Sequence, residues 1–170
     1  MSAEAHWETV YKSKAANALS WYRPHLDISL GLIERAAGSV DASIVDVGGG
    51  ESTLVDDLIA RGYQNLTVLD ISRTALDETR HRLGSAAERV RWIAADITKV
   101  SLPRHGFDVW HYRAVFHFLT SPEDRSAYVR AVGGSVRSGG YVIVSTFGPN
   151  GPARCSGLDV VRYDAEALQW

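Results

Sequence analysis

At 170 residues and 18.6 kDa, with 45% apolar residues, the chain suits one domain with a real core. Its 18 basic and 20 acidic residues leave a net charge of −2, so the basic footprint of a nucleic-acid binder is absent. Cys155 is the only cysteine, which excludes an intramolecular disulfide and a thiolate zinc cluster. The N-terminus has no signal-peptide pattern, and no stretch approaches the roughly 18 apolar residues of a membrane span. The expectation is a soluble cytoplasmic protein with no membrane partner.

Residues 1–25 scatter Trp7, Tyr11, Trp21 and Tyr22 among polar residues, and Pro24 stops whatever precedes it. So many aromatics in a polar segment read as a lid over a ligand, or as pins holding the segment to the body of the protein. A helical stripe of Leu30, Ile33 and Ala37 follows, with Asp27 as its expected N-cap and Gly38 as its stop. Ser43–Val47 is a β-branched strand running into Gly48-Gly49-Gly50. Leu54, Val55, Leu58 and Ile59 then mark a helix from Ser52 to Gly62.

Leu66–Ile71 is the second strand, and Ser72 caps a helix to Leu83, closed by Gly84. Val90–Ala95 and Phe107–His111 are the third and fourth strands, separated by a loop with Pro103 and Gly106. Ser121-Pro122-Glu123-Asp124 starts a helix expected to reach about Arg137. Gly139-Gly140 is read as the turn into a fifth strand, Tyr141–Phe147, and Asp164 as the cap of a last helix. Strands and helices in alternation predict an α/β fold, one domain over 1–170, with a mostly parallel, doubly wound sheet.

In such sheets ligands sit over the carboxyl ends of the strands. Gly48, Gly49 and Gly50 form a strand-to-helix turn where backbone can approach a ligand; a tight turn that needs glycine is the plain alternative. Asp70 ends the second strand about 20 residues later, where a carboxylate accepts both ribose hydroxyls of an adenosine-type ligand. The G-x-G-x-x-G dinucleotide fingerprint fails at Thr53. Asp96, beyond the third strand, can accept the exocyclic amine of adenine or cap the segment after it.

Asp46-Val-Gly48-Gly49-Gly50-Glu-Ser, Leu69-Asp70-Ile71-Ser72 and Ala95-Asp96-Ile97 together resemble the successive cofactor motifs of class I S-adenosylmethionine-dependent methyltransferases. Trp110–Phe118, Cys155–Leu158 and Val161–Tyr163 resemble one branch, which includes small bacterial enzymes and is similar to some protein-lysine methyltransferases. The resemblance implies a Rossmann-like fold and S-adenosylmethionine as cofactor, with S-adenosylhomocysteine as product. The acceptor would be a small molecule or a protein amine. It places Tyr11, Trp21, Gly48, Gly49, Gly50, Asp70, Ile71, Asp96, Ile97 and Arg113 against the cofactor, and His111, Tyr112 and His117 near the transferred methyl group.

Two departures stand out. Tyr112 occupies a position where the branch usually has Asp, and the residues up to Trp170 leave no room for the antiparallel hairpin that normally completes the sheet. These departures motivate a second reading, a non-catalytic, dimeric S-adenosylmethionine-binding scaffold; a nicotinamide-dependent oxidoreductase is a third. His111 and His117 lack the i, i+4 spacing of a helical metal pair, so no metal is expected. Cys155 reads as structural. The Tyr141–Phe147 strand carries no Lys, Glu or Pro to discourage pairing, so its edge predicts a homodimer, unless residues 153–163 fold back over it.

Overall fold

The computed structural model describes residues 2–169. Helix α1 spans Ala3–Ser13, where sequence periodicity predicted no regular element; Ser2 caps it by accepting from Ala5 N–H at 3.2 Å. Its long side chains pack on the domain from outside, with none fully buried, so the apolar stripe that announces a core helix is missing.

Helix α2 covers Asp27–Ala37, and Leu26 rather than Asp27 holds the N-cap position. Asp27 lies inside the first turn, where its charge complements the helix dipole instead of capping. Strand β1 (Ser43–Val47) leads to α3 (Leu54–Ala60), and β2 (Asn65–Asp70) leads to α4 (Arg73–Leu83). Ser72 caps α4 through Ala75 N–H at 3.2 Å, as its sequence position predicts.

Between β3 (Val90–Ala94) and β4 (Phe107–Arg113) the crossover is a loop over 95–106, so the expected strand–helix alternation lapses once. Helix α5 (Pro122–Ser135) begins at the predicted Ser121 cap but ends two residues early, because β5 (Val136–Ser145) follows directly. Gly139 and Gly140 therefore lie inside β5, within an irregular stretch of its pairing with β4, and not in a turn before it. The short hairpin β6 (Arg154–Cys155) and β7 (Leu158–Asp159) was not foreseen, and Asp164 caps only a turn, accepting from Ala167 N–H at 2.8 Å.

The five strands lie in the order β3-β2-β1-β4-β5, all parallel. One face buries Ile44, Leu66, Val68 and Val109 beneath α2, α3 and α4. The other buries Val45, Val47, Leu69, Trp110 and Tyr112 beneath α5 and the loop after β3. Both faces are thus covered, as parallel strands with apolar residues on both sides require. Strand order reverses between β1 and β4, which opens a crevice above their carboxyl ends.

The segment after β5 folds back over this end: Val161 N–H donates to His117 carbonyl and Tyr163 N–H to Phe147 carbonyl, each at 2.8 Å. It leaves the outer edge of β5 open, with Tyr141 56% and Val142 40% exposed. No helix among the described residues is long and apolar enough to cross a membrane.

Candidate active site

The β1–α3 turn works by backbone conformation. Gly48 has φ +72°, and a Cβ there would stand 2.2 Å from Val115 Cγ2. Gly50 has φ +47°, and its Cβ would meet the Tyr11 hydroxyl at 2.6 Å and Asp70 Oδ2 at 3.2 Å. Both positions therefore demand glycine on two counts. Gly48 and Gly49 line the crevice, whereas Gly50 does not. Gly50 instead supplies an N–H to the Asp70 carboxylate and a carbonyl to Thr79 Oγ1 at 2.8 Å. Gly50, expected against the cofactor, thus stands behind Asp70 and off the crevice wall.

Asp70 is 5% exposed at the end of β2 and lines the crevice. Burial pushes its carboxyl up to about 7, against hydrogen bonds from Ser72, Gly50 and Ile71 N–H and with repulsion from Asp46. Asp96, Ile71 and Ile97 line the same crevice, as the motif resemblance implies. Burial works to raise the Asp96 carboxyl, but hydrogen bonds from Thr98 and Lys99 outweigh it and hold the group below its ordinary value.

The N-terminal aromatics converge as a lid. Trp7 meets Phe118 edge-on at 4.9 Å and Trp21 at 5.8 Å, and Trp7, Tyr11 and Trp21 all line the crevice; Tyr22 does not. Glu8 fastens α1 to the start of α4, accepting from Ser72 Oγ at 2.9 Å, Thr74 N–H at 3.1 Å and Thr74 Oγ1. The Thr74 hydroxyl contributes most to holding the Glu8 carboxyl down at about 2. The lone residue Glu8 carried no sequence signal of this role, because its partners lie on a distant helix.

The three catalytic candidates separate. His111 is 1% exposed with both ring nitrogens engaged: Nδ1 to Asp46 Oδ1 at 2.7 Å and Nε2 to Ser29 Oγ at 2.9 Å. With Nδ1–H donating to the carboxylate, Nε2 accepts from the Ser29 hydroxyl. No nitrogen remains for a substrate proton, so the expected catalytic role gives way to one of bracing β1, β4 and α2 beneath the crevice. Tyr112 is fully buried, stacked on Tyr128 at 4.6 Å, and its hydroxyl finds no hydrogen-bond partner among the described residues. It lines the crevice from below and takes no part in the neighbouring cleft, contrary to a role in contacting the acceptor.

His117 lines that second cleft, above the ends of β4 and β5. Its ring is 1% exposed and stacks on Phe147 at 4.3 Å, and Nε2 has no partner among the described residues. Burial pushes its imidazole down to about 4, which keeps it neutral near pH 7. The two clefts share Trp21, Arg113 and Ala114. Ala114 has φ +58°, an unusual conformation for alanine that marks the junction as a strained point of the backbone. Arg113 donates to the Trp21 carbonyl at 3.1 Å, which ties β4 to the lid.

These residues fit S-adenosylmethionine. Asp70 and Asp96 are acceptors placed for ribose hydroxyls and an adenine amine, Gly48 and Gly49 present backbone where a side chain cannot stand, and the orphaned Tyr112 hydroxyl waits beneath.

Comparison with known proteins agrees with this geometry. The methyltransferase domain family matches residues 44–140. An uncharacterized methyltransferase of Mycobacterium bovis is 35% identical over 104 residues, covering 61% of this chain and 50% of the relative. The bovine eEF1A lysine and N-terminal methyltransferase is 27% identical over 104 residues, covering 61% of this chain and 15% of that protein. The chain therefore spans half or less of the length of these relatives. Among solved structures, the Burkholderia thailandensis 1,6-didemethyltoxoflavin-N1-methyltransferase, with its substrate and S-adenosylhomocysteine bound, superposes with a TM-score of 0.74 at 18% identity. That match covers 97% of this chain and 72% of the other. With more than half of its length matched by the family and the motif residues gathered around one crevice, the chain belongs to the class I S-adenosylmethionine-dependent methyltransferases.

Proposed function

We propose that this chain transfers a methyl group from S-adenosylmethionine to a nucleophile held in the second cleft. The supporting observation is the continuity of the two clefts at Trp21, Arg113 and Ala114, with the cofactor acids on one side and neutral His117 on the other. The cofactor, when bound, supplies a methyl group activated by its sulfonium. Asp70 holds the ribose, Asp96 the adenine amine, and Arg113 the cofactor carboxylate. The lid of Trp7, Tyr11 and Trp21 excludes water from the junction, and orientation within a dry site is the main contribution such a displacement needs from the protein. His117 Nε2 accepts a hydrogen bond from the N–H or O–H of the nucleophile and orients it; with its imidazole lowered to about 4 the ring positions the nucleophile and leaves the proton to solvent. A small molecule is the acceptor class that a cleft of about 550 Å³ suits best. The open β5 edge supports a homodimer formed by strand pairing with a second copy.

Calorimetric titration with S-adenosylhomocysteine and with NAD tests the cofactor: only the former should bind. Consumption of S-adenosylmethionine with a panel of amines, phenols and carboxylates tests turnover. Tight binding with no turnover on any acceptor would favour the scaffold reading.

A further inference from the structure

The second cleft has a charge that the methyl-transfer reading, on which this inference rests, does not require. Arg23, Arg113 and Arg154 line its wall, and no Asp or Glu does. Arg23 makes no ion pair among the described residues; its guanidinium donates to the Tyr22 carbonyl at 2.7 Å. Arg113 makes no ion pair among the described residues; burial and the nearby Arg23 charge disfavour its charged form, and Asp46 offsets them only in part. Arg154 is partly balanced, with Nε 3.2 Å from Asp159 and Nη2 donating to the Gly157 carbonyl, both at the solvent side. With Arg113 given to the cofactor carboxylate, Arg23 and Arg154 remain as cations of the cleft wall, the first with no ion pair among the described residues and the second paired only on its solvent side. Folding gains nothing from bringing like charges together, and forked guanidinium donors match carboxylate or phosphate oxygens.

Against these cations sits the unpartnered Nε2 of His117, in a ring that is 1% exposed. A buried polar atom without a partner costs stability unless a ligand completes it. A neutral imidazole donates at one nitrogen and accepts at the other; in the tautomer whose Nδ1–H faces Thr146 Oγ1 at 3.4 Å, Nε2 accepts a hydrogen bond from an N–H or O–H group. The cleft volume of about 550 Å³ lies within the range of small-molecule sites.

We propose that the methyl acceptor is a small anionic molecule. Its carboxylate or phosphate is held by Arg23 and Arg154, and its N–H or O–H nucleophile donates to His117 Nε2. A protein lysine is a poor match. Its ammonium would face guanidinium groups and find no carboxylate in the wall. The cleft thus departs from the lysine acceptor named for the bovine relative.

The test uses the full chain saturated with S-adenosylhomocysteine and titrated with benzoate, inorganic phosphate, benzyl alcohol and n-butylammonium. Benzoate or phosphate should bind at millimolar concentration, and which of them binds tighter identifies the anionic group. Benzyl alcohol and n-butylammonium should bind far more weakly. The double variant Arg23→Ala/Arg154→Ala should lose about tenfold or more in anion affinity while keeping its affinity for S-adenosylhomocysteine. Binding of n-butylammonium without benzoate or phosphate, with S-adenosylhomocysteine still bound, would overturn the anionic acceptor and spare the cofactor reading. Failure of S-adenosylhomocysteine itself to bind would remove both.

Discussion

Replacing Asp70 with Asn sets stability against ligand binding in a way that a single pH series can read. The carboxyl is buried at the end of β2, and its pKa is raised from 3.8 to about 7. An acid raised on folding costs nothing below its unfolded value. It costs progressively more between the two values and its full penalty above the folded one. Each pH unit in that window is worth about 1.4 kcal/mol, so the penalty grows by roughly 2–3 kcal/mol between pH 5 and pH 7.

Asn carries no charge and escapes this penalty, but its NH₂ group cannot accept from all of the backbone N–H groups of Ser72, Gly50 and Ile71 that the carboxylate serves. The absolute effect of the substitution therefore mixes both contributions, and its pH dependence isolates the first. Urea unfolding of both proteins at pH 5 and pH 8 should show the variant gaining about 2–3 kcal/mol relative to wild type as pH rises. Affinity should move the other way. S-adenosylhomocysteine should bind wild type more tightly as pH passes upward through about 7, since ribose hydroxyls donate to the ionised form. Asp70→Asn should lose about 1.5–3 kcal/mol of binding at pH 8 and show a flatter pH profile. A parallel pH profile in the two proteins, by calorimetry, would refute the assignment of the ribose to Asp70.

Gly50→Ala should weaken S-adenosylhomocysteine binding by driving its methyl into the Tyr11 hydroxyl, and Tyr11→Phe in the same chain should recover part of the loss. No recovery in a thermal-shift titration would mean that Gly50 acts on the ligand directly. Glu8→Ala should loosen α1 by about 1 kcal/mol, the charged hydrogen bonds being discounted for partial exposure, and should speed proteolysis within residues 3–13. Because the Glu8 carboxyl is lowered to about 2, the wild-type latch should hold above its ordinary value of 4.5 and weaken as pH falls toward 2. Hydrogen exchange in α1 that ignores this acid range would contradict the latch. Sedimentation at micromolar concentration should show a dimer that Val142→Lys dissociates; a wild-type monomer would sink the pairing of β5 edges.

The sequence by itself determined the α/β class, the strands β1 to β4 and most helix starts. The β-branched run Ser43–Val47, the stripe of Leu54, Val55 and Leu58, and the caps Ser72 and Ser121 all act within one strand or one or two helical turns. Asp70 and Asp96 were legible as crevice residues for the same reason, since Asp70 ends β2, Asp96 lies just past β3, and parallel strands deliver their ends to one crevice. Tertiary structure alone decided the rest. His111 and His117 are neighbours in sequence, yet one points its nitrogens to Asp46 and Ser29 under the sheet's end while the other lines the second cleft. Helix α1 exists as a docked element because Glu8 reaches Ser72 and Thr74, partners that no local pattern connects. Arg23 and Arg154 share a cleft only because the lid descends from one side and the segment after β5 folds back from the other. Local periodicity encodes which face of an element turns inward; the path of the crossovers decides which residues that face will meet.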